Sequence, residues 1–474
     1  MISDRTSYSR VLKVSKYYRY ILTSQLLIPD FAKRELHPEG GLGALLQNIG
    51  AGTETAVREY QLDLPAGKAN ALKSMMLAML CTKRCAGDPE CIIELDKLHA
   101  ECMKYDPQTS QYRFNFAMLY LAVDAVDRCV AELEETICIF PGFGQVHAAL
   151  ALLYTINEEW GKGLVQARAA LARGAEIRPR LVNLCLSSCS YKLNQPIEGA
   201  FDYVALDKYD PDHLVKALQK LPPVDQAQLD HSGHDKRVLF TYADEKYFYE
   251  HALALICSLR DTDADWAIHL HLCNPSPKLL QDLPRLQQLV SPLLIHYSFE
   301  HADIARYGDP AFYHCSARFA RLYQLVVSNP HTFVMVDADA LINKNPDNLT
   351  GLNDPGKVVG LTATDCEPFW ATIRGGFSYF RRSDAALQLL GRLAHFIIDN
   401  MQPGKGHWFL DMMGLSLLYD KLPDQKSVAV LPASECCDSN YGDDATIWAI
   451  VNDKVSMGKY NIRKLEVLKR YGIK

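Results

Sequence analysis

The hydrophobic pattern of this chain changes once, and that change limits the fold more than any other feature. Residues 1 to about 215 carry apolar positions at helical spacing, with no strand-like run. From about residue 237, β-branched runs such as Val238-Leu239-Phe240-Thr241-Tyr242 and Trp266-Ala267-Ile268-His269-Leu270-His271-Leu272 alternate with helical stretches. A chain that alternates strand and helix folds as a parallel sheet with helices on its faces. The expectation is an α-helical domain over 1–215, a linker over 216–236 and an α/β domain over 237–474. A length of 474 residues leaves room for on the order of two to four domains. The linker holds Pro222-Pro223 and His231-Ser232-Gly233-His234. In such polar surroundings the two histidines read as solvated side chains, not metal ligands.

Prolines recur in the helical half at Pro107, Pro141, Pro179 and Pro211, at spacings of 34, 38 and 32 residues. A period near 34 is the tetratricopeptide length. Aligning on Pro141 places Ala117 and Tyr120 on a first helix, and Cys129, Leu133 and Thr136 on a second. The next repeat gives Ala151 and Tyr154, then Gly163, Ala167 and Ala170. Small and large residues in this order suit close packing of two helices. The positions resemble the tetratricopeptide pattern, without its signature Trp or the Gly at its small position. Two repeats are expected, with a degenerate one on each side; the alternative is an irregular helical domain. Either is a docking surface for a partner or acceptor rather than a catalytic module.

Charge and cysteine usage exclude several classes. A net charge of −6 argues against a general nucleic-acid binder. No stretch approaches the roughly 18 apolar residues of a membrane span. The start, Met1-Ile2-Ser3-Asp4-Arg5, does not read as a secretory signal. Arg5, Arg10, Lys13, Lys16 and Arg19 interleave with Tyr8, Tyr17, Tyr18 and Tyr20. A basic aromatic helix of this kind could touch an anionic membrane surface, but a helix packed on the domain is favoured. Among 14 cysteines no C-x₂-C pair occurs, which counts against a zinc ribbon. Cys81, Cys85, Cys91 and Cys102 cluster, Cys185 and Cys189 lie one helical turn apart, and Cys436-Cys437 is vicinal. Thiols in a reducing cytoplasm are expected.

The chemistry concentrates at Asp337-Ala338-Asp339. An apolar run, Phe333-Val334-Met335-Val336, precedes it, and Leu341-Ile342 follows. The other Asp-x-Asp spellings, Asp210/Asp212, Asp261/Asp263 and Asp263/Asp265, lie in polar, loop-like surroundings. Two carboxylates on the turn that ends a buried strand can face one divalent cation. Mg²⁺ or Mn²⁺ held there can bridge a diphosphate and neutralise a leaving group. Three β-α units precede this strand, an arrangement that binds nucleotides at the carboxyl ends of parallel strands.

These residues carry a family resemblance. Tyr242-Ala243-Asp244-Glu245-Lys246-Tyr247, with Ala252-Leu253 and Ser258-Leu259, resembles the opening strand and helix of GT-A glycosyltransferases, most of all the family 8 type. Ala317-Arg318-Phe319-Ala320-Arg321-Leu322 resembles that family's arginine-bearing helix, and Val334 to Asp339 its metal-binding strand. Arg374-Gly375-Gly376-Phe377 occupies the place of its Asn-Ala-Gly strand, and Phe409-Leu410-Asp411 that of its Asp-Gln element. The resemblance covers about 237–420 and implies a Rossmann-like, mostly parallel sheet.

The resemblance implies roles. Thr241, Ala243 and Asp244 would line the nucleotide sugar, with Asp244 on the uracil or another base. Arg318 or Arg321 would reach the diphosphate or the donor sugar. Asp337 would hold ribose or sugar and share the metal with Asp339, with Ala338 between them against the donor. Asp411 would sit near the reacting carbon, and Gly375 and Gly376 would let backbone approach the sugar. Four places depart from the family: Lys246 and Arg374 where Asn is usual, Met412 where Gln is usual, and no late histidine near Ile447-Trp448-Ala449-Ile450. Asp443, Asp444, Asn452 or water could complete the metal shell. Trp408 and His407 read as lid or core.

The implied activity is metal-dependent transfer of a sugar from a nucleotide sugar, a UDP-sugar foremost, to a protein or surface-glycan acceptor docked by the helical repeats. Asp411 would serve as base if the anomeric centre inverts. One alternative is a helical scaffold whose glycosyltransferase-like domain is inactive. Another is a haloacid-dehalogenase phosphatase. That fold wants Thr or Val where Leu341 stands, and its Asp-x-Asp strand first in the domain, not fourth.

Overall fold

In the computed structural model, described residues are 14–24, 26–33, 53–84, 88–175, 179–196, 198–199, 201–202, 206, 209–226, 237–364, 367–401, 408–422, 425–450 and 457–473. The chain divides into two compact units, Met1–Gly199 and Ala200–Lys474.

The first unit is helical. Its later helices come in pairs: Ser110–Ala122 with Val126–Ile139, then Gly144–Ile156 with Trp160–Ala172, followed by Pro179–Lys192. First helices start at 110 and 144 and second helices at 126 and 160, so each offset is 34 residues. The turns repeat as well. Asp124 and Glu158 both take a left-handed backbone, at φ 67° and 60°. Just after them, the N–H groups of Ala125 and Glu159 donate to Tyr120 O and Tyr154 O, each at 2.9 Å. This is the hydrogen-bond pattern that ends a helix when the next residue turns left-handed. Ala117, Tyr120, Cys129, Leu133, Thr136, Ala151, Tyr154, Ala167 and Ala170 are buried, as the 34-residue alignment requires.

The proline spacing behind that alignment is only partly a repeat interval. Pro107 and Pro141 lie in turns between helices, but Pro179 and Pro211 are the first residues of their helices. Pro211 belongs to the second unit. Fixed φ suits Pro to both settings, so spacing alone cannot tell them apart. At the start of the chain, the Lys16–Thr23 helix packs on Ser110–Ala122, burying Val14, Tyr18, Ile21 and Leu22. Arg19 pairs with Asp124. Arg5, Arg10, Lys13 and Tyr8 fall outside the described residues, as do Cys85, His231 and His234.

The second unit is an α/β fold on an eight-stranded mixed sheet. Its strands are β1 (Val224–Gln226), β2 (Arg237–Asp244), β3 (Trp266–Cys273), β4 (Leu294–Glu300), β5 (Thr332–Val336), β7 (Val359–Ala363), β8 (Ile373–Arg381) and β9 (Val428–Pro432). The order is β1-β4-β3-β2-β5-β8-β7-β9. β6 (Ala340–Ile342) pairs separately with β10 (Ile447–Ala449). β2, β3, β4 and β5 are parallel, as the βα alternation requires. The chain steps outward from β2 to β4 and then returns to β5 on the other side of β2. That reversal opens a crevice at the carboxyl ends of β2 and β5, where α/β sheets bind ligands. Asp244 ends β2 and Asp337 follows β5, so both stand at this crevice.

Two boundaries differ from the sequence reading. The second unit begins at Ala200, ahead of 215. Within the segment read as linker, β1 pairs antiparallel with β4 through Val224, Asp225 and Gln226. A three-residue edge strand carries no alternation long enough to read. β3 is buried along its whole length. His269 and His271, the polar positions of this strand, are each 1% exposed. Both rings contact the Ser298 hydroxyl, at 2.8 and 2.7 Å. No helix among the described residues is long and apolar enough to cross a membrane.

Candidate active site

β5 buries its side chains and delivers Asp337 to the crevice. The Asp337 N–H donates to Gly376 O at 3.1 Å, continuing the β5–β8 ladder. The Ala340 N–H then donates to Asp337 O at 3.1 Å, so Asp337-Ala338-Asp339 is a tight turn leading into β6. Ala338 is buried beneath it.

The carboxylates of this turn are held unequally. Asp337 receives the Arg318 guanidinium. Asp339 is half-buried, and the Tyr247 hydroxyl lies 3.4 Å from its Oδ2. Burial, and then the Asp337 charge, push the Asp339 carboxyl up to about 7. Two neighbouring carboxyls are hard oxygen donors suited to a divalent cation. Mg²⁺ keeps several waters and binds through one or two carboxylates plus phosphate oxygens, so Asp337 and Asp339 fit it. No cluster of three or more His, Cys, Asp or Glu that could hold a metal occurs among the described residues. Asp443 pairs with Lys459 and Asp444 with Lys344, both on the exposed surface. Asn452 and His407 lie outside the described residues, and Trp408 is half-buried.

Arg318 organises the rest. It sits on the Pro310–Ser328 helix, which Asp309 caps by accepting from the Ala311 N–H at 3.0 Å. Its guanidinium reaches Asp337, donates to Asp411 Oδ2 at 2.8 Å and to Gly375 O at 2.9 Å. Burial works against that charge, and Asp337 and Asp411 outweigh it. Asp411 opens the Leu410–Lys421 helix and is 2% exposed. Burial pushes its carboxyl up, with Arg318 opposing.

Gly375 and Gly376 lie where β8 bulges. Leu361 of β7 pairs with Ser378 and Thr362 with Arg374, leaving 375–377 unmatched on that side. Bulges of this kind re-aim backbone beside functional sites. A Cβ on Gly375 would lie 2.6 Å from Asp411 Oδ2 and 2.9 Å from an Arg318 nitrogen. A Cβ on Gly376 would lie 2.8 Å from Asp337 Oδ2 and 3.2 Å from Cys437 Sγ. The space beside these glycines is lined by the Asp411 and Asp337 carboxylates.

Asp244 caps the next helix, its Oδ1 accepting from the Tyr247 N–H at 2.7 Å. His314 stands 3.6 Å from its other oxygen. Burial lowers the His314 imidazole, against the pull of Asp244.

Three expected site residues stand apart. Thr241 and Ala243 are buried within the sheet, because β2 is its central parallel strand. Arg321 is 2% exposed and bonds Glu300, Pro222 O at 2.8 Å and Gln324 at 3.0 Å. A spacing of three residues put both arginines on one helix face, but only Arg318 looks toward β5 and β8. Arg374 pairs with Glu367 at 2.8 Å. Sequence reasoning gave Tyr247 and Cys437 no place in the site. Tyr247 had one local signal, its place three residues after the capping Asp244; Cys437 had none.

No family model matches the sequence, and no curated protein matches it either. Solved structures do. The chain is similar to the WbbM bifunctional glycosyltransferase at 13% identity and a TM-score of 0.31, over 51% of this chain and 45% of that one. It is similar to the glycosyltransferase GlyE of Streptococcus pneumoniae TIGR4 at 12% identity and a TM-score of 0.33, over 50% of this chain and 64% of that one. It is similar to a mutant O-GlcNAc transferase of Thermobaculum terrenum at 14% identity and a TM-score of 0.23, over 47% of this chain and 41% of that one. The chain thus spans less than two thirds of each. With every TM-score below 0.5, this likeness carries no conclusion about activity.

Proposed function

We propose that the protein is a metal-dependent glycosyltransferase that moves a sugar from a nucleotide sugar, with UDP as the nucleotide, to a polypeptide or glycan acceptor. The observation that carries this reading is the convergence of Asp337, Asp339, Asp411 and Arg318 beside Asp244 at one topological switch point. GT-A transferases of the family 8 type build such a site, which is the resemblance noted in the sequence.

Asp337 and Asp339 would hold Mg²⁺ or Mn²⁺, which supplies positive charge to the departing nucleoside diphosphate. Asp244 accepts a hydrogen bond from the base. Arg318 fixes Asp337 and Asp411 in one frame and adds charge beside the leaving group. Asp411 orients the sugar near the anomeric carbon, and takes the acceptor proton if the configuration inverts. The helical unit, read as tetratricopeptide-like repeats, docks the acceptor or a partner.

The experiment is a thermal-shift panel of nucleoside diphosphates with and without Mn²⁺, followed by UDP-sugar hydrolysis. Stabilisation by UDP only when Mn²⁺ is present, lost in Asp339→Asn, is the expected result. Full turnover in Asp339→Asn would sink the assignment.

A further inference from the structure

We propose that Cys81 and Cys91 form an oxidation site, at which exchange with a low-molecular-weight disulfide staples the first long helix pair of the N-terminal unit. Cys81 lies in the last turn of the Ala66–Arg84 helix, and Cys91 in the first turn of the Pro89–Tyr105 helix. The two helices pack against each other. Their Sγ atoms stand 3.5 Å apart. A disulfide of about 2.05 Å lies roughly 1.5 Å inside that separation.

Other thiols of the chain are oriented otherwise. Cys102 Sγ donates to Ala71 O at 3.3 Å. Cys189 Sγ lies 3.3 Å from the Thr155 hydroxyl, and Cys436 Sγ 2.9 Å from the Thr362 hydroxyl. Cys91 Sγ also donates to Cys81 O at 3.8 Å, but among these described thiols Cys81 and Cys91 are the pair whose sulfurs face each other. Neither belongs to the transfer site, so the staple is a second, separate chemistry of the chain.

The reaction balances as a two-electron exchange. One cysteine thiolate attacks a sulfur of the small disulfide, whose S–S bond breaks and releases one thiol. The second cysteine gives up its proton and attacks the protein sulfur of the mixed disulfide, releasing the second thiol. The protein loses two electrons and two protons, and the small disulfide becomes two thiols. Cys81 and Cys91 are 4% and 1% exposed, so the first step waits on local opening and the staple forms slowly.

The test uses the unaltered full chain, so no misfolded variant can imitate the result. Protein is held in oxidised glutathione or in dithiothreitol, remaining thiols are alkylated, and trypsin is added. Lys83 and Arg84 lie between the two cysteines and are exposed. Cleavage at either leaves Cys81 and Cys91 on separate peptides. The expected result is one disulfide-linked pair of these peptides in the oxidised sample only, with fragmentation placing the bond at Cys91 and finding Cys85 of the same peptide alkylated, and with a raised Tm. If both cysteines are alkylated once exposed Cys138 is fully oxidised, the proposal fails. It fails equally if either one is bonded to another cysteine.

Discussion

The Arg318 guanidinium donates to Asp411 across 2.8 Å while it also binds Asp337, so one buried cation ties the end of β5 to the start of the Leu410–Lys421 helix. Those carboxylates are 74 residues apart in the chain, at positions 337 and 411. Arg318 is the side chain whose described hydrogen bonds join both carboxylates.

Replacing Arg318 with Met keeps an unbranched stem and removes the charge. Two carboxylates then face each other in a low-dielectric site. Breaking a buried pair this way costs about 3 kcal/mol or more. Urea unfolding of Arg318→Met should show that loss, and Arg318→Lys should recover part of it, since one ammonium cannot reach three acceptors together. If Arg318→Met unfolds at the wild-type urea concentration, the clamp has no structural weight.

Gly375→Ala tests the same frame from β8. The added methyl would sit 2.6 Å from Asp411 Oδ2, too close to be accommodated without moving it. If Asp411 acts as proposed, displacing it by about 1 Å costs on the order of 10²-fold in rate. The expected outcome is that loss in kcat/KM. Gly458→Ala is the control: its Cβ meets nothing within 4 Å, and it should match the wild type.

Much of this site could be read in the sequence because its parts are local. The apolar run into Asp337 marks a buried strand, and Ala317 to Leu322 mark a helix that carries an arginine inward. What could not be read is which way each arginine turns. Arg318 and Arg321 differ by less than one helical turn, yet one meets Asp337 and Asp411 and the other Glu300. That choice depends on Glu300, placed by the pairing of β4 with β3, a non-local fact. The role of Gly375 depends likewise on a bulge against β7. In the helical unit the 34-residue period was legible at Ala117, Tyr120, Ala151 and Tyr154. Pro211 misled, because a proline opens a helix as readily as it follows one.

The buried polar cluster of β3 and β4 predicts a pH dependence of stability. Burial holds His269 well below the usual histidine range, with the neighbouring His271 and His296 adding to the effect. Burial lowers His271 too, although Glu300 works the other way. Burial opposes the charge of Glu300, but the His271 hydrogen bond and Arg321 outweigh it and hold the carboxyl at about 2. Below pH ~6.5 the unfolded chain binds protons at these histidines that the folded chain refuses. Between pH ~4.5 and about 2 the same holds for Glu300. Both effects have one sign: stability is full above pH ~6.5 and falls as the solution is acidified. Each histidine adds up to about 1.4 kcal/mol per pH unit. Urea midpoints from pH 8 to pH 4 should trace the fall, and His269→Asn should flatten it by about one proton. An unchanged slope in that variant would remove His269 from the explanation.

Two glycines of the Trp160–Ala172 helix predict opposite signs from the same substitution. Alanine favours a helix over glycine by up to about 1 kcal/mol. At Gly161 a Cβ meets nothing within 4 Å, so Gly161→Ala should gain most of that. At Gly163 a Cβ would lie 2.9 Å from Cys189 Sγ and 3.0 Å from Thr155 Oγ1. Both side chains are buried and bonded to each other at 3.3 Å, so neither can withdraw without breaking that contact. Overpacking of this kind costs about 1–3 kcal/mol, more than the helix preference returns. Thermal unfolding of the two variants should therefore move in opposite directions from the wild type, with Gly161→Ala above and Gly163→Ala below. A shared rise would mean that the Gly163 position is not a close helix contact, and that the 34-residue repeat does not pack through its small residues.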